Sequence, residues 1–451
     1  MRLKDNARCR SRAHTHINLR PLPNRYPTSQ LNSTLLNAPR LPVYYIFLLS
    51  IMSKFEIPNE LSSKLRHAEP KTAQSDEQIT NTLSAFQPVV SEKNIWAFWH
   101  SGIRSMPSWN LRNVTSWVRM HDSEWTVRVL DSVPDSPNYF LNYVPASFLP
   151  KALVDGNLDG PYVGPHSADF LRGACLFLHG GVFLDVGCLL IRTMDRICWN
   201  RLADPSSPFQ VSVPWMYGTT IANSFTAARK GDPFIESWHK LFVSLWEGHV
   251  NHEGVMNTPL LAFAANLDFD ESRAAKFHWD FAVEPRVVME YISQVMCWYR
   301  LCLLTKDEGN GFVPQQHWKN KVLIFDVLEE CWAAEATLGF KGCGQKMFDL
   351  LRLPLDADQS SPQYDEAQKL VWRLLSESSL QKVVHGKHLT HDKNLGELWD
   401  DPANEGSDCG AGTFAELLRY GAENFVQVRE DIRFVEAPLP SQSLDKGLFE
   451  A

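Results

Sequence analysis

The sequence predicts an α/β protein with parallel strand pairing, and three observations predict it. From about residue 93, short apolar runs alternate with stretches whose apolar residues recur at helical spacing. A glycine pair, Gly180-Gly181, divides one such stretch from the next apolar run. That run, Val182-Phe183-Leu184, ends on a carboxylate, Asp185. In parallel α/β sheets ligands collect at the carboxyl ends of strands, so Asp185 is the first residue to watch.

Taken in order, Asn94 to Trp99 is an apolar run of strand type. Pro107 opens a helix-like stretch to Met120, with Trp109, Val114, Trp117 and Val118 on one face. Trp125 to Leu130 alternates and reads as a strand. Ser167 to His179 reads as a second helix, with Ser167 as its cap and Phe170, Ala174, Phe177 and Leu178 on one face. Val182–Leu184 is then a buried strand. Gln210–Pro214 and Ala222–Ala228 read as strands. Asp232 caps a helix to Trp246, with Pro233 at its first position. A helix over Glu284–Arg300, a strand over Val322–Phe325 and a surface loop over 353–363 follow.

The domain reading follows from these shifts: a 1–52 extension, a polar leader over 53–90 with one short helix, a domain over 91–435 and a tail over 436–451. Residues 1–40 are rich in Arg, Pro, Asn and Ser, with Asp5 the sole acid. The apolar run Val43–Met52 is far shorter than the roughly 20 residues that span a bilayer. It leaves membrane association open. Met52 is read as a conventional start, with the preceding residues an unstructured or spurious extension.

Composition excludes some classes. The chain has 451 residues, 44% of them hydrophobic, and a net charge of −8, so it can bury a large core and nothing points to nucleic acid. Fifteen Trp suit a core, and also a carbohydrate cleft. The nine Cys form no Cys-x-x-Cys pair, which argues against a zinc ribbon and favours a reducing compartment. No phosphate-binding Gly-x-x-x-x-Gly-Lys loop, Gly-x-Gly-x-x-Gly, Gly-x-Ser-x-Gly or His-Glu-x-x-His occurs, against NTPases, dinucleotide oxidoreductases, serine hydrolases of that fold and gluzincins.

Three groups could carry chemistry. Asp185 follows an apolar strand and must face solvent, a cation or a partner; it could hold a metal that binds a diphosphate, or cap the next turn. Asp169 and Arg172, three apart on one helix, could bind donor hydroxyls and phosphate, or form a surface ion pair. His385, His388 and His391 could converge as a zinc site, supply one ligand to an oxygen-rich metal site, or lie in a polar loop, with Lys387 and Lys393 suited to a diphosphate.

Ser167-Ala168-Asp169-Phe170-Leu171-Arg172, then Gly180-Gly181-Val182-Phe183-Leu184-Asp185 and Leu189-Leu190-Ile191, resemble the core of the capsular polysaccharide synthesis family, which is related to glycosyltransferases with an Asp-x-Asp sugar-binding region. The opening strand Ile95–Trp99 and Ala222-Asn223-Ser224-Phe225 through Asp232-Pro233-Phe234 are similar too. The resemblance implies a GT-A-like Rossmann-type sheet flanked by helices, with a helical C-terminal part. It implies a nucleotide-sugar donor, a glycan, lipid or small-molecule acceptor, and Mn²⁺ or Mg²⁺. By the same resemblance Asp185 and Asn223 are catalytic; Trp99, Asp169, Arg172 and Asp185 bind the donor; and Asp185, His388 and His391 hold the metal. One departure is visible: Gly187 stands where the second acid of Asp-x-Asp belongs. This keeps two other readings open, a non-catalytic nucleotide-sugar-binding protein and a metal-dependent hydrolase built on the histidines.

Overall fold

A computed structural model describes residues 53–68, 71–121, 123–216, 220–267, 274 and 279–451. The extension over 1–52, with its apolar run, lies outside the described residues. Strand β1 (Leu65–His67) and helix α1 (Asp76–Leu83) come first. Then follow β2 (Asn94–Phe98), α2 (Ser108–Met120), β3 (Thr126–Leu130), α3 (Val163–His179), β4 (Gly181–Leu184) and β5 (Cys188–Leu190). The middle holds β6 (Val211–Met216), β7 (Thr220–Ile221), β8 (Phe225–Ala228), α4 (Pro233–Leu245), α5 (Pro285–Tyr291), α6 (Ser293–Leu303) and β9 (Val322–Asp326). The C-terminal part adds α7 (Cys343–Leu351), α8 (Pro362–Glu377), β10 (Leu380–Lys382), α9 (Phe414–Asn424), β11 (Phe425–Gln427) and β12 (Phe434–Val435).

Among the described residues the central sheet runs β12-β9-β6-β8-β4-β2-β3, with β7 beside β6. It is mixed: β2 pairs parallel with β3 and β4, and β6 with β9, whereas β8 is antiparallel to β4 and β6. The period of two divides its side chains between faces. Trp96, Phe98 and Phe183 enter the core beneath α3, α4 and α6; Ile95, Ala97, Val182 and Leu184 enter the opposite core with α2. Both faces are covered, which is why β2 is buried at all five positions. A third core joins α7, α8 and α9. The leader belongs to the fold: β1 pairs antiparallel with β11, and Leu65 is buried in that third core.

Several elements differ from their sequence reading. Helix α3 begins at Val163, four residues before Ser167, and Ser167 does not cap it: its hydroxyl donates to the Val163 carbonyl inside the helix. Pro165 lies inside the helix. It sits in the first turn, where a missing N–H costs nothing. The strand read over Ala222–Ala228 begins only at Phe225, because Asn223 and Ser224 form a turn. The single helix read over Glu284–Arg300 is two, α5 and α6, divided at Ile292. The Asp232 cap holds as read, its carboxylate accepting from the amides of Phe234 and Ile235.

Candidate active site

The chain runs from β2 to β3 on one side of β2, then crosses back to place β4 on its other side. The carboxyl ends of β2 and β4 therefore border a topological switch point, where open α/β sheets bind ligands. A cavity of about 740 Å³ lies there. Trp99 lines it just past β2, and Asp185 just past β4.

Four of the residues singled out in the sequence meet on its lining. Arg172, 2% exposed, reaches up from α3 between two carboxylates. It is ion-paired with Asp169 on its own helix, and its Nη2 donates to Asp185 Oδ1 at 2.7 Å. The guanidinium lies over the ring of Phe183, 4.8 Å from its centre. Asn223, on the turn before β8, donates to Asp169 Oδ1 at 3.0 Å and to Gln294 Oε1 at 2.9 Å. Gln294, from α6, also accepts from Arg172 Nη1 at 2.8 Å. The second Asp185 oxygen accepts from Lys382 Nζ at 3.1 Å. Burial alone would raise the Asp185 carboxyl, but Lys382 and Arg172 outweigh it and hold it below the usual carboxylate value. Burial would likewise lower Arg172, and Asp185 and Asp169 reverse that. Asp185 and Arg172 are therefore both charged at neutral pH.

Sequence reasoning missed Lys382 and Gln294. Neither belongs to a local motif. Lys382 arrives through β10, which pairs antiparallel with β5 so that Lys382 stands opposite Cys188, three residues beyond Asp185. Gln294 lies 109 positions beyond Asp185 in the chain (294 − 185) and is brought in by packing of α6. The cavity wall also carries aromatic and aliphatic side chains, Trp109, Tyr162, Trp279, Phe281, Met289 and Tyr291. Phe281 is 42% exposed, so a large apolar ring stands open to solvent on this wall.

A nucleotide-sugar site of the kind the resemblance implies would need cations and hydrogen-bond donors at a strand end, and this cluster supplies them. The comparisons decide the family. The model of the family described as capsular polysaccharide synthesis protein matches residues 54–253. The probable glycosyltransferase FCK3 of Fusarium pseudograminearum is 51% identical over 396 residues, 88% of this chain and 99% of that protein. The chain belongs to the capsular polysaccharide synthesis family and is a glycosyltransferase. Glycosyltransferase afumC of Aspergillus fumigatus is 36% identical over 84% of this chain and 95% of its own length. The O-glycosyltransferase PaGT of Phomopsis amygdali is 37% identical over 79% of this chain and 87% of its own.

The histidines do not join this glycosyltransferase's charged cluster. His388 and His391 are exposed and line no part of the cavity; His385 does, packed edge-on against Trp279. Among the described residues no three His, Cys, Asp or Glu gather as a metal-binding group. The expected ligand set of Asp185, His388 and His391 is therefore not assembled, because His388 and His391 lie on the exposed loop that follows the Lys382 strand. Lys387 lines the cavity but is ion-paired to Asp400 at 2.9 Å, and Lys393 is exposed and lies off the cavity.

The residues at Asp185 do not fit a divalent ion either. Both carboxylate oxygens face protein cations, Arg172 and Lys382. The position of the missing second acid is closed: a Cβ at Gly187 would lie 2.1 Å from Val384 Cγ2. Val384 cannot turn aside freely, since its other methyl lies against Gly396. Gly187→Asp is accordingly expected to destabilise the protein by about 1–3 kcal/mol through overpacking. Urea melts check this, with Gly187→Asp/Val384→Ala recovering most of the loss; a Gly187→Asp melt identical to the parent's would show that Val384 yields.

Proposed function

We propose that the enzyme transfers a hexosyl group from a nucleoside-diphosphate sugar to the hydroxyl of an apolar small molecule or lipid. The carrying observation is the mixed lining of the cavity, in which the charged Asp169, Arg172, Asp185 and Lys382 share one space with aromatic side chains. The charged cluster suits the donor. Trp99, which lines the same cavity, carries a buried indole N–H without a protein partner. The aromatic side chains suit an acceptor without charge, because apolar surface removed from water is worth roughly 25 cal/mol per Å². The name of one relative, the O-glycosyltransferase PaGT, supports a hydroxyl acceptor.

In the reaction the bond from the anomeric carbon to the diphosphate oxygen breaks, and its electron pair goes to the diphosphate. The acceptor oxygen bonds to the anomeric carbon, and its proton passes to the departing diphosphate. The protein orients the two substrates and stabilises the charge that develops on the leaving group. Asn223, fixed by Asp169 and Gln294, stands beside the donor sugar in this reading. The family resemblance carries the finer expectation that the anomeric configuration is retained, which proton NMR of the product tests.

The function is tested by incubating the protein with UDP- and GDP-hexoses and a panel of acceptors: long-chain alcohols, a polycyclic alcohol and oligosaccharides. Mass spectrometry of the products is the readout. Glycosylated apolar alcohols are expected; transfer confined to oligosaccharides would overturn the acceptor assignment.

A further inference from the structure

In the resemblance, Asp185 is the residue that grips a metal. Here its Oδ1 is held by Arg172 at 2.7 Å and its Oδ2 by Lys382 at 3.1 Å. We propose that Lys382 takes the place of the divalent cation: its ammonium, steered by Asp185, binds the donor diphosphate, and the enzyme works without a metal. The inference rests on the nucleotide-sugar reading above and deepens it.

Three observations carry it. First, the lysine is positioned rather than mobile. It sits on β10 opposite Cys188, its side chain is 15% exposed, and it lines the cavity. An ammonium has three N–H donors; Asp185 engages one, and two remain for phosphate oxygens. Second, a divalent ion on either Asp185 oxygen would have to displace one of two cations or sit beside both. Third, one segment does both things. Val384, two residues past Lys382, fills the space over Gly187 where a second acid would stand, and the Val383 amide donates to the Gly187 carbonyl at 2.9 Å. The segment that shuts out the second carboxylate delivers the replacement charge. Arg172 stays on its two carboxylates and holds Asp185 in place, so Lys382 is the group left to meet the diphosphate.

The experiment is calorimetric titration of UDP and GDP into the full chain, in EDTA and in Mn²⁺, for the parent, Lys382→Met and Lys382→Arg. The parent is expected to bind one of the diphosphates in EDTA within about threefold of its affinity in Mn²⁺. Lys382→Met is expected to weaken that binding at least tenfold while the affinity for the corresponding nucleoside stays unchanged, and Lys382→Arg to recover most of it. Thermal melts accompany each variant. If Lys382→Met fails to fold, the parent's metal dependence and the Lys382→Arg titration still decide. Binding that needs Mn²⁺, or an unchanged Lys382→Met affinity, overturns the role of the lysine and leaves the glycosyltransferase reading standing. No diphosphate binding in either buffer overturns the nucleotide-sugar reading, and the lysine's role falls with it.

Discussion

Asp185→Asn is expected to lower kcat/KM by roughly a hundred- to a thousandfold, the scale of removing one preorganised electrostatic group from an active site. The substitution keeps the size of the side chain and removes its charge. Arg172 would still be held by Asp169 and Gln294, so the packing beneath the cavity survives. Lys382, by contrast, would lose its ion pair with Asp185, and the ammonium would no longer be aimed. The loss should therefore fall on turnover and donor affinity rather than on stability. Steady-state kinetics with a thermal melt separate the two. A variant that turns over like the parent would remove Asp185 from the active site.

Arg172→Met is expected to have the largest effect on stability, about 3–5 kcal/mol, because it leaves two carboxylates facing each other with their buried cation gone. Asp169 has a side chain only 12% exposed, so water cannot fully replace the guanidinium. Arg172→Lys should rescue little: an ammonium cannot span Asp169, Asp185 and Gln294 in one plane as the guanidinium does. Urea unfolding at neutral pH measures this. A midpoint within experimental error of the parent would mean that the cluster contributes nothing net to folding.

How far the sequence could be read depended on whether each signal was local. Asp232-Pro233 carries its own cap chemistry, and Gly180-Gly181 its own stop, so α4 and the end of α3 were legible. Asp185, Asp169 and Arg172 stood out by residue type and position, Asn223 through the family resemblance, and the structure joins them by direct hydrogen bonds. Gln294 and Lys382 were invisible because nothing near them in the chain announces a partner more than a hundred residues away. The histidine run failed for the opposite reason. Its spacing looks purposeful, yet it lies on a loop with His388 in a left-handed conformation and both His388 and His391 in solvent. The broken helix at Ile292 shows a third case, in which an unbroken apolar pattern hides a single non-helical residue.

The pairing of β1 with β11 has a consequence for how the protein is made. It joins Leu65 to Gln427, so the first described strand stays without its neighbour until nearly the whole chain has left the ribosome. At about 5–20 residues per second, that wait is tens of seconds. During it, Leu65 remains uncovered, a window in which chaperones would have their claim on the nascent chain. Enzymatic activity is bound to the same clock, since Asp185 is completed by Lys382 from the late β10 segment. A ribosome-stalled chain ending before β10 would carry most of the sheet and no working site.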